Sequence, residues 1–188
     1  MAKRHSGALI SLTLLLSFCL AMCAGAKDTL VAYQTKNRLF SFTYPSSWKV
    51  DEINELTVIV IEPQNLDYRA RFSLMAQLLP QPINAKQYLE ISLVQLRSIY
   101  ADFELLKIDS VSFSGSKART IEAKYTENGE SLHGYSAFLV VQPYVFIFNG
   151  IAQDDKWKNA VGCFTESLSS VSIELPATSE PPEKDGKI

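Results

Sequence analysis

Phe40, Phe42 and Tyr44 alternate with Ser41 and Thr43, the period-two pattern of a strand buried on one face. Pro45 lacks the N–H that a ladder needs, Ser46 and Ser47 supply turn chemistry, and Trp48 restarts an apolar pattern. Ahead of this stretch, Leu30, Val31 and Tyr33 fit a first edge strand. After it, Asp51 to Glu55 is charged and reads as a turn around Asn54. Thr57 to Ile61 is β-branched and apolar on both faces, which predicts a strand in the middle of a sheet. Between Arg69 and Leu79, Ala70, Phe72, Leu74, Ala76 and Leu78 alternate with Arg69, Arg71, Ser73 and Gln77.

The period then changes. Pro80 and Pro82 break the sheet pattern, and Asn84 followed by Gln87 has capping-box spacing. Leu89, Leu93, Leu96 and Tyr100 form one stripe of a helix packed on a sheet, with Tyr88, Ile91 and Ile99 widening it. Phe103 to Phe113 returns to extended patterning, and Ser114-Gly115-Ser116 is a turn. Asn128-Gly129 between two extended runs is a hairpin signal. Tyr144 to Phe148 is apolar on both faces and predicts a second central strand. Asp154 or Asp155 is placed to cap a last helix, in which Trp157, Ala160, Val161, Phe164 and Leu168 share a face. Val171 to Leu175 closes the pattern as a short strand, and the segment from Pro176 onward is too polar to pack. Strands in runs with few helices predict an α+β fold, an antiparallel sheet sandwiched by helices, in a single domain over 27–175.

The N-terminus follows a different logic. Lys3 and Arg4 precede an apolar run from Ala8 to Ala21, then Ala24-Gly25-Ala26. That is the order of a secretory signal over 1–26, with Ala24 and Ala26 at the cleavage site. Two alternatives stand beside it. An uncleaved anchor would use the near-spanning length from Ala8 to Ala26, diluted by Ser11, Thr13 and Ser17. A lipoprotein would be lipidated at Cys23 after Leu20-Ala21-Met22, although Met22 stands where that motif wants Gly or Ala. Export, to the periplasm or beyond the cell, is the expectation in the first case.

Charge and cysteine content narrow the function classes. The 188-residue chain has a formal net charge of -2; without Lys3 and Arg4 its 18 basic residues fall to 16 against 20 acidic ones, a net of -4. A mildly acidic body lacks the basic face that a nucleic-acid binder uses to release counterions. Cys163 is the one cysteine outside the N-terminal segment, so no intramolecular disulfide is available to the body.

Candidate chemistry is sparse. His5 and His133 are the two histidines, too few for a multi-histidine metal site. His133 reads as a surface histidine rather than a general base. Cys163, among Val161, Gly162 and Phe164, reads as a buried small hydrophobe rather than a reactive thiol. Arg69 and Arg71 read as a solvated sheet face before an anion patch, and Ser114-Gly115-Ser116 as a turn before a nucleophile loop. The aromatic strand Tyr144, Phe146, Phe148 reads as core before a base-stacking surface. No nucleophile elbow, phosphate loop or dinucleotide fingerprint occurs, so no catalytic residue, metal or cofactor is expected.

The run Phe40-Ser41-Phe42-Thr43-Tyr44-Pro45 with Trp48 resembles the opening of the PsbP/DcrB-like families, where a hydrophobic-x-hydrophobic-x-Tyr-Pro-x-x-Trp run begins an αβα sandwich. A middle helix, a hairpin at Asn128-Gly129, an aromatic strand and a terminal amphipathic helix follow in the same order, so the resemblance spans Leu39 to Ile173. It implies an exported or membrane-tethered accessory protein without a catalytic motif. Known members include thylakoid-lumen extrinsic subunits of photosystem II, bacterial lipoproteins and a cytoplasmic branch that binds the small GTPase Ran. The leading expectation is a non-enzymatic protein docking on a larger membrane or envelope complex through an unidentified protein partner. A small-ligand or lipid carrier, with an apolar cleft between helix and sheet, is the alternative. A hydrolase with an unrecognised site is a third. A filled core with one exposed apolar patch would favour docking, a deep apolar cavity the carrier, and a polar cleft gathering His133 with carboxylates the enzyme.

Overall fold

A computed structural model describes residues 28–63 and 70–175. Their order is β1 (Leu30–Gln34), β2 (Phe40–Pro45), β3 (Lys49–Asn54), β4 (Thr57–Ile61), β5 (Arg71–Leu78), α1 (Ala85–Ile99), β6 (Glu104–Phe113), β7 (Ser116–Glu127), β8 (Glu130–Val141), β9 (Tyr144–Gln153), α2 (Trp157–Ser170) and β10 (Ser172–Ile173). A seven-stranded sheet runs β3-β4-β5-β9-β8-β7-β6, and a separate three-stranded sheet runs β1-β2-β10, every pairing antiparallel.

The expected helix-on-both-faces sandwich holds only in part. One face of the large sheet carries α1, which lies over β7 and β8. The other carries α2 together with the small sheet, so half of that outer layer is β-structure. The cause lies in the run that forms β2. Phe40 and Phe42 point one way from β2 into the core, and the strand pairs with β1 and β10 rather than joining the large sheet.

That core is aromatic. Phe72 of β5 is fully buried and meets Phe42 at 5.8 Å, Trp48 at 6.2 Å, Phe148 at 5.3 Å and Phe164 at 6.5 Å between ring centroids. Burying one such ring stabilises the fold by about 1.5–3 kcal/mol before edge-to-face terms are added. α2 approaches closely because β9 offers Gly150 beneath it: a Cβ there would sit 2.6 Å from two ring carbons of Phe164. Under α1 a second cluster of Leu79, Leu89, Leu93, Ile121, Phe138, Val145 and Ile147 fills the space between helix and sheet.

Several local readings shift. Asp51 to Asn54 continue β3, and the turn falls at Glu55–Leu56, because Asp51, Glu52 and Asn54 pair with Ile59, Val58 and Thr57 across a bulge. Thr57, Ile59 and Ile61 are half-buried rather than buried, since no helix covers β4 on their side among the described residues. Asn84 does cap α1: its side chain accepts from the amides of Lys86 and Gln87, and the Gln87 side chain accepts from the Asn84 amide. The N-cap of α2 is instead Lys156, with no side-chain cap, because Asp154 is engaged elsewhere. Asn128 and Gly129 take positive φ values of 53° and 83°, the left-handed pair that a tight hairpin turn requires. Ser114 and Gly115 do the same between β6 and β7, and Ser114 Oγ accepts the Ile173 amide, so the serine serves the fold.

Candidate functional site

The most distinctive polar cluster is centred on His133 of β8. Antiparallel register brings His133 beside Lys124 of β7, with Glu122 two residues along the same face, and α2 begins directly above. His133 is 6% exposed, so it is not the surface residue expected. Its Nε2 lies 2.8 Å from Glu122 Oε1 and its Nδ1 3.2 Å from Asp154 Oδ1. Lys124 Nζ donates to Asp154 at 2.9 Å. The imidazole lies 3.9 Å from the Trp157 ring, 7° from parallel. The Lys124 contact, with that ammonium's charge and a smaller contribution from His133, holds the Asp154 carboxyl below the usual carboxylate range.

The cluster does gather a histidine with two carboxylates, but not in a cleft. Both ring nitrogens are occupied, one ring face is covered by Trp157, and none of these residues lines either cleft described below. No group of three or more His, Cys, Asp or Glu side chains among the described residues could hold a metal ion. The arrangement ties the β7–β8 hairpin to the start of α2. Alternation along the strand could have placed His133 on the buried face with Leu139 and Ala137, but its distant partner Asp154 carries no such signal.

The other expected residues separate. Cys163 is half-buried on α2 rather than buried as expected, and burial pushes its thiol up to about 11. Arg71 lies 3.6 Å from Glu127, so its charge is engaged within the chain; Arg69 lies outside the described residues. Phe146 and Phe148 are core residues. Ala24, Ala26 and Cys23 lie outside the described residues, as do 176–188. No described helix is long and apolar enough to cross a membrane.

Two open clefts are formed by described residues. The larger, about 670 Å³, runs between α2 and the start of β1, with Trp48, Ala70 and Ala160 at its base and Asp28, Glu62, Lys156 and Glu166 among its lining. The smaller, about 380 Å³, lies beneath Leu39, Leu56, Ala76 and Phe146. Neither lies between α1 and the sheet, where Leu89 and Leu93 cluster with Ile121, Phe138, Val145 and Ile147.

Among the described residues, one apolar surface lies on the outer side of α1; Ile53, Leu78, Leu106 and Ile108 are exposed elsewhere. Ile91, Val94 and Ile99 are 46%, 68% and 66% exposed. Ile91 and Ile99 were expected to widen the buried stripe. The helix meets the sheet along a narrow line through Leu89 and Leu93; Ile91, two positions from each, falls on the opposite side, and Ile99, six beyond Leu93, falls to the flank of that line. Between the exposed side chains lie Gln87, Gln95 and Ser98, so this side of the helix has no charge, while Lys86, Glu90 and Arg97 share a different side.

No protein-family model matches the chain, and no curated protein does. Solved structures do. The solution structure of cyanobacterial PsbP (CyanoP) from Synechocystis sp. PCC 6803 superposes with a TM-score of 0.58 at 16% identity, covering 83% of this chain and 99% of that one. LpqN of Mycobacterium tuberculosis, described as involved in cell envelope biogenesis, gives 0.58 at 14% identity over 78% of this chain and 91% of its own. PA94 of Pseudomonas aeruginosa, a protein of unknown function described as a putative regulator, gives 0.58 at 14% over 78% and 98%. At such identities the likeness is one of fold, and the chain has the PsbP/DcrB-like architecture to which its Phe40–Trp48 run pointed.

Proposed function

We propose that this is an exported, non-enzymatic accessory protein of the cell envelope, and that it docks through the outer side of α1 onto an apolar surface of a larger membrane or envelope complex. The observation that carries the reading is the uncharged strip of Ile91, Val94 and Ile99. Exposed apolar residues are common singly, but three on one helix with only Gln and Ser between them form the kind of patch that a protein partner covers. The secretory pattern before Lys27 supports the address. So does likeness to LpqN, whose description places that protein in envelope biogenesis. The hydrophobic cluster that joins α1 to the sheet weighs against a carrier with its cleft there.

The test replaces Ile91, Val94 and Ile99 by Glu together and compares the particle size of the protein in detergent-solubilised envelopes of its host. Wild type migrates in a large complex and the triple variant at the mass of the free protein, with unchanged thermal stability. Equal migration of the two would remove α1 as the docking face.

A further inference from the structure

We infer that β6 is a self-complementary edge through which two copies of the chain pair, with a two-fold axis at Ile108. β6 is the last strand of the seven-stranded sheet, and its outer side has no partner strand among the described residues. Its middle reads Leu106-Lys107-Ile108-Asp109-Ser110, and both Leu106 and Ile108 are 41% exposed. Two features indicate which register a second copy would take.

The first is charge. In an antiparallel pair centred on Ile108, Lys107 of each copy stands opposite Asp109 of the other, and Leu106 stands opposite Ser110. Centring the pair on Lys107 or Asp109 would instead set like charges face to face, which is destabilising in directly opposed strand positions. One symmetric register is therefore favoured over its neighbours, and the symmetry applies its charge pairs twice.

The second is the hydrogen-bond ledge. The Ser110 amide donates 2.8 Å to the Asp109 carboxylate, which also lies 2.7 Å from Lys107 Nζ. An edge amide satisfied by its neighbour's side chain is one that points away from the β7 ladder. Its parity places the Ile108 amide and carbonyl outward as well. In the paired state Ile108 exchanges both backbone bonds with its counterpart, and Ser110 N–H passes to the opposite Leu106 carbonyl. Asp109 then moves from its own strand to the opposing Lys107. Each local contact that now occupies the edge has a matching contact in the pair, so the edge is closed in one state and continued in the other.

The two faces sort consistently. Ile108 pairs with Ile121, which packs beneath α1, so the two Ile108 side chains meet on the α1 side. Lys107 pairs with Glu122, on the side of His133 and α2. A two-fold axis normal to the sheet would leave both α1 helices on one face of a continuous fourteen-stranded sheet, counting seven strands from each copy. The bulge between Leu105 and Lys107 limits the pairing to a few residues, so the dimer is weak and concentration-dependent.

The experiment is sedimentation equilibrium of the purified protein over a concentration series reaching roughly 1 mM, the range in which small interfaces associate. Wild type is expected to pass from monomer to dimer. Lys107→Asp and Asp109→Lys each weaken association by about tenfold, because each sets two like-charge pairs across the axis. The swapped variant K107D/D109K recovers it. Circular dichroism should not change among the four proteins, whose side chains at 107 and 109 are exposed. Lys107→Asp also sets a carboxylate opposite Glu122 within the chain, so a small drop in melting is expected for K107D and K107D/D109K alike, and the recovery of association in the swapped variant is independent of it. A second measurement uses Ile108→Cys in a chain whose three native cysteines are Ser. Residues exchanging both backbone bonds lie about 5.5 Å apart at Cα, within disulfide reach. Oxidation should link Ile108→Cys much faster than Lys117→Cys. A wild type that stays monomeric throughout, a swap no better than the single variants, or equal cross-linking at 108 and 117 would each overturn the assignment.

Discussion

His133 and Trp157 stack face to face, 3.9 Å apart at their centroids and 7° from parallel, one on a β-strand and the other at the first turn of α2. The stack joins two parts of the chain that share no backbone hydrogen-bond ladder, and Glu122 and Asp154 hold the imidazole in place from either edge. Replacing His133 by Ala removes the stack and the hydrogen bonds to Glu122 and Asp154, but both carboxylates are about a third exposed and Asp154 keeps Lys124. The expected loss is about 1–2 kcal/mol, mostly from the buried ring rather than from the charges. Urea unfolding checks it; a loss below about 0.5 kcal/mol, the size of an ordinary surface substitution, would mean the cluster is not structural.

Tyr33 supplies a pH-dependent tie. Its hydroxyl donates to Glu52 Oε1 at 2.7 Å, linking the small sheet to β3. That hydrogen bond, with burial and the Glu52 charge, pushes the phenol up to about 12, and the same bond lowers the Glu52 carboxyl. The unfolded phenol titrates near 10, so the folded protein holds its proton more tightly. The contribution is whole below pH about 10 and disappears as pH rises through about 12. Tyr33→Phe should cost about 1 kcal/mol at neutral pH and flatten the decline of stability above pH about 10. Unfolding midpoints measured from neutral to alkaline pH, wild type against variant, give the comparison.

Gly150→Ala tests how closely α2 lies on β9. The added methyl would meet Phe164 at 2.6 Å inside a fully buried site, so ring and helix must shift. The expected cost is about 2–3 kcal/mol, at the upper end of overpacking effects. Phe164→Leu in the same chain should recover part of it, because neighbouring sites couple. Strictly additive losses would argue against that contact.

Cys163 should be slow to react. With its thiol pushed to about 11 by burial, little thiolate exists at pH 8. Alkylation by iodoacetamide should run roughly a hundredfold slower than for free cysteine. A rate equal to that of free cysteine would mean the thiol is open to solvent.

Much of the architecture was legible in the sequence because local periodicity is what sets it. Asn84 with Gln87, Asn128-Gly129 and the Trp157–Leu168 stripe each act within one element, and each fell where its pattern put it. What escaped the sequence was long-range. The β1-β2-β10 layer depends on Ser172 and Ile173 returning to Ser41 and Phe40, a pairing with no local mark. Asp154 looked like a cap, yet its charge is drawn to Lys124 and His133 from two other strands. The outward side of α1 was misread for a simpler reason: Ile91 and Ile99 are apolar, and composition alone does not say which apolar residues meet the sheet.

The most direct measurement of the docking account is site-specific photo-crosslinking in the living host, with a benzophenone side chain placed in turn at Val94 and at Lys117. Val94 is at the centre of the exposed α1 strip, and Lys117 is exposed at the β6–β7 turn. The account predicts one discrete heavy product from position 94 that depends on Ile91 and Ile99, and none from position 117. Products of equal yield from both positions, or none from position 94 while the protein still migrates in a large complex, would contradict it.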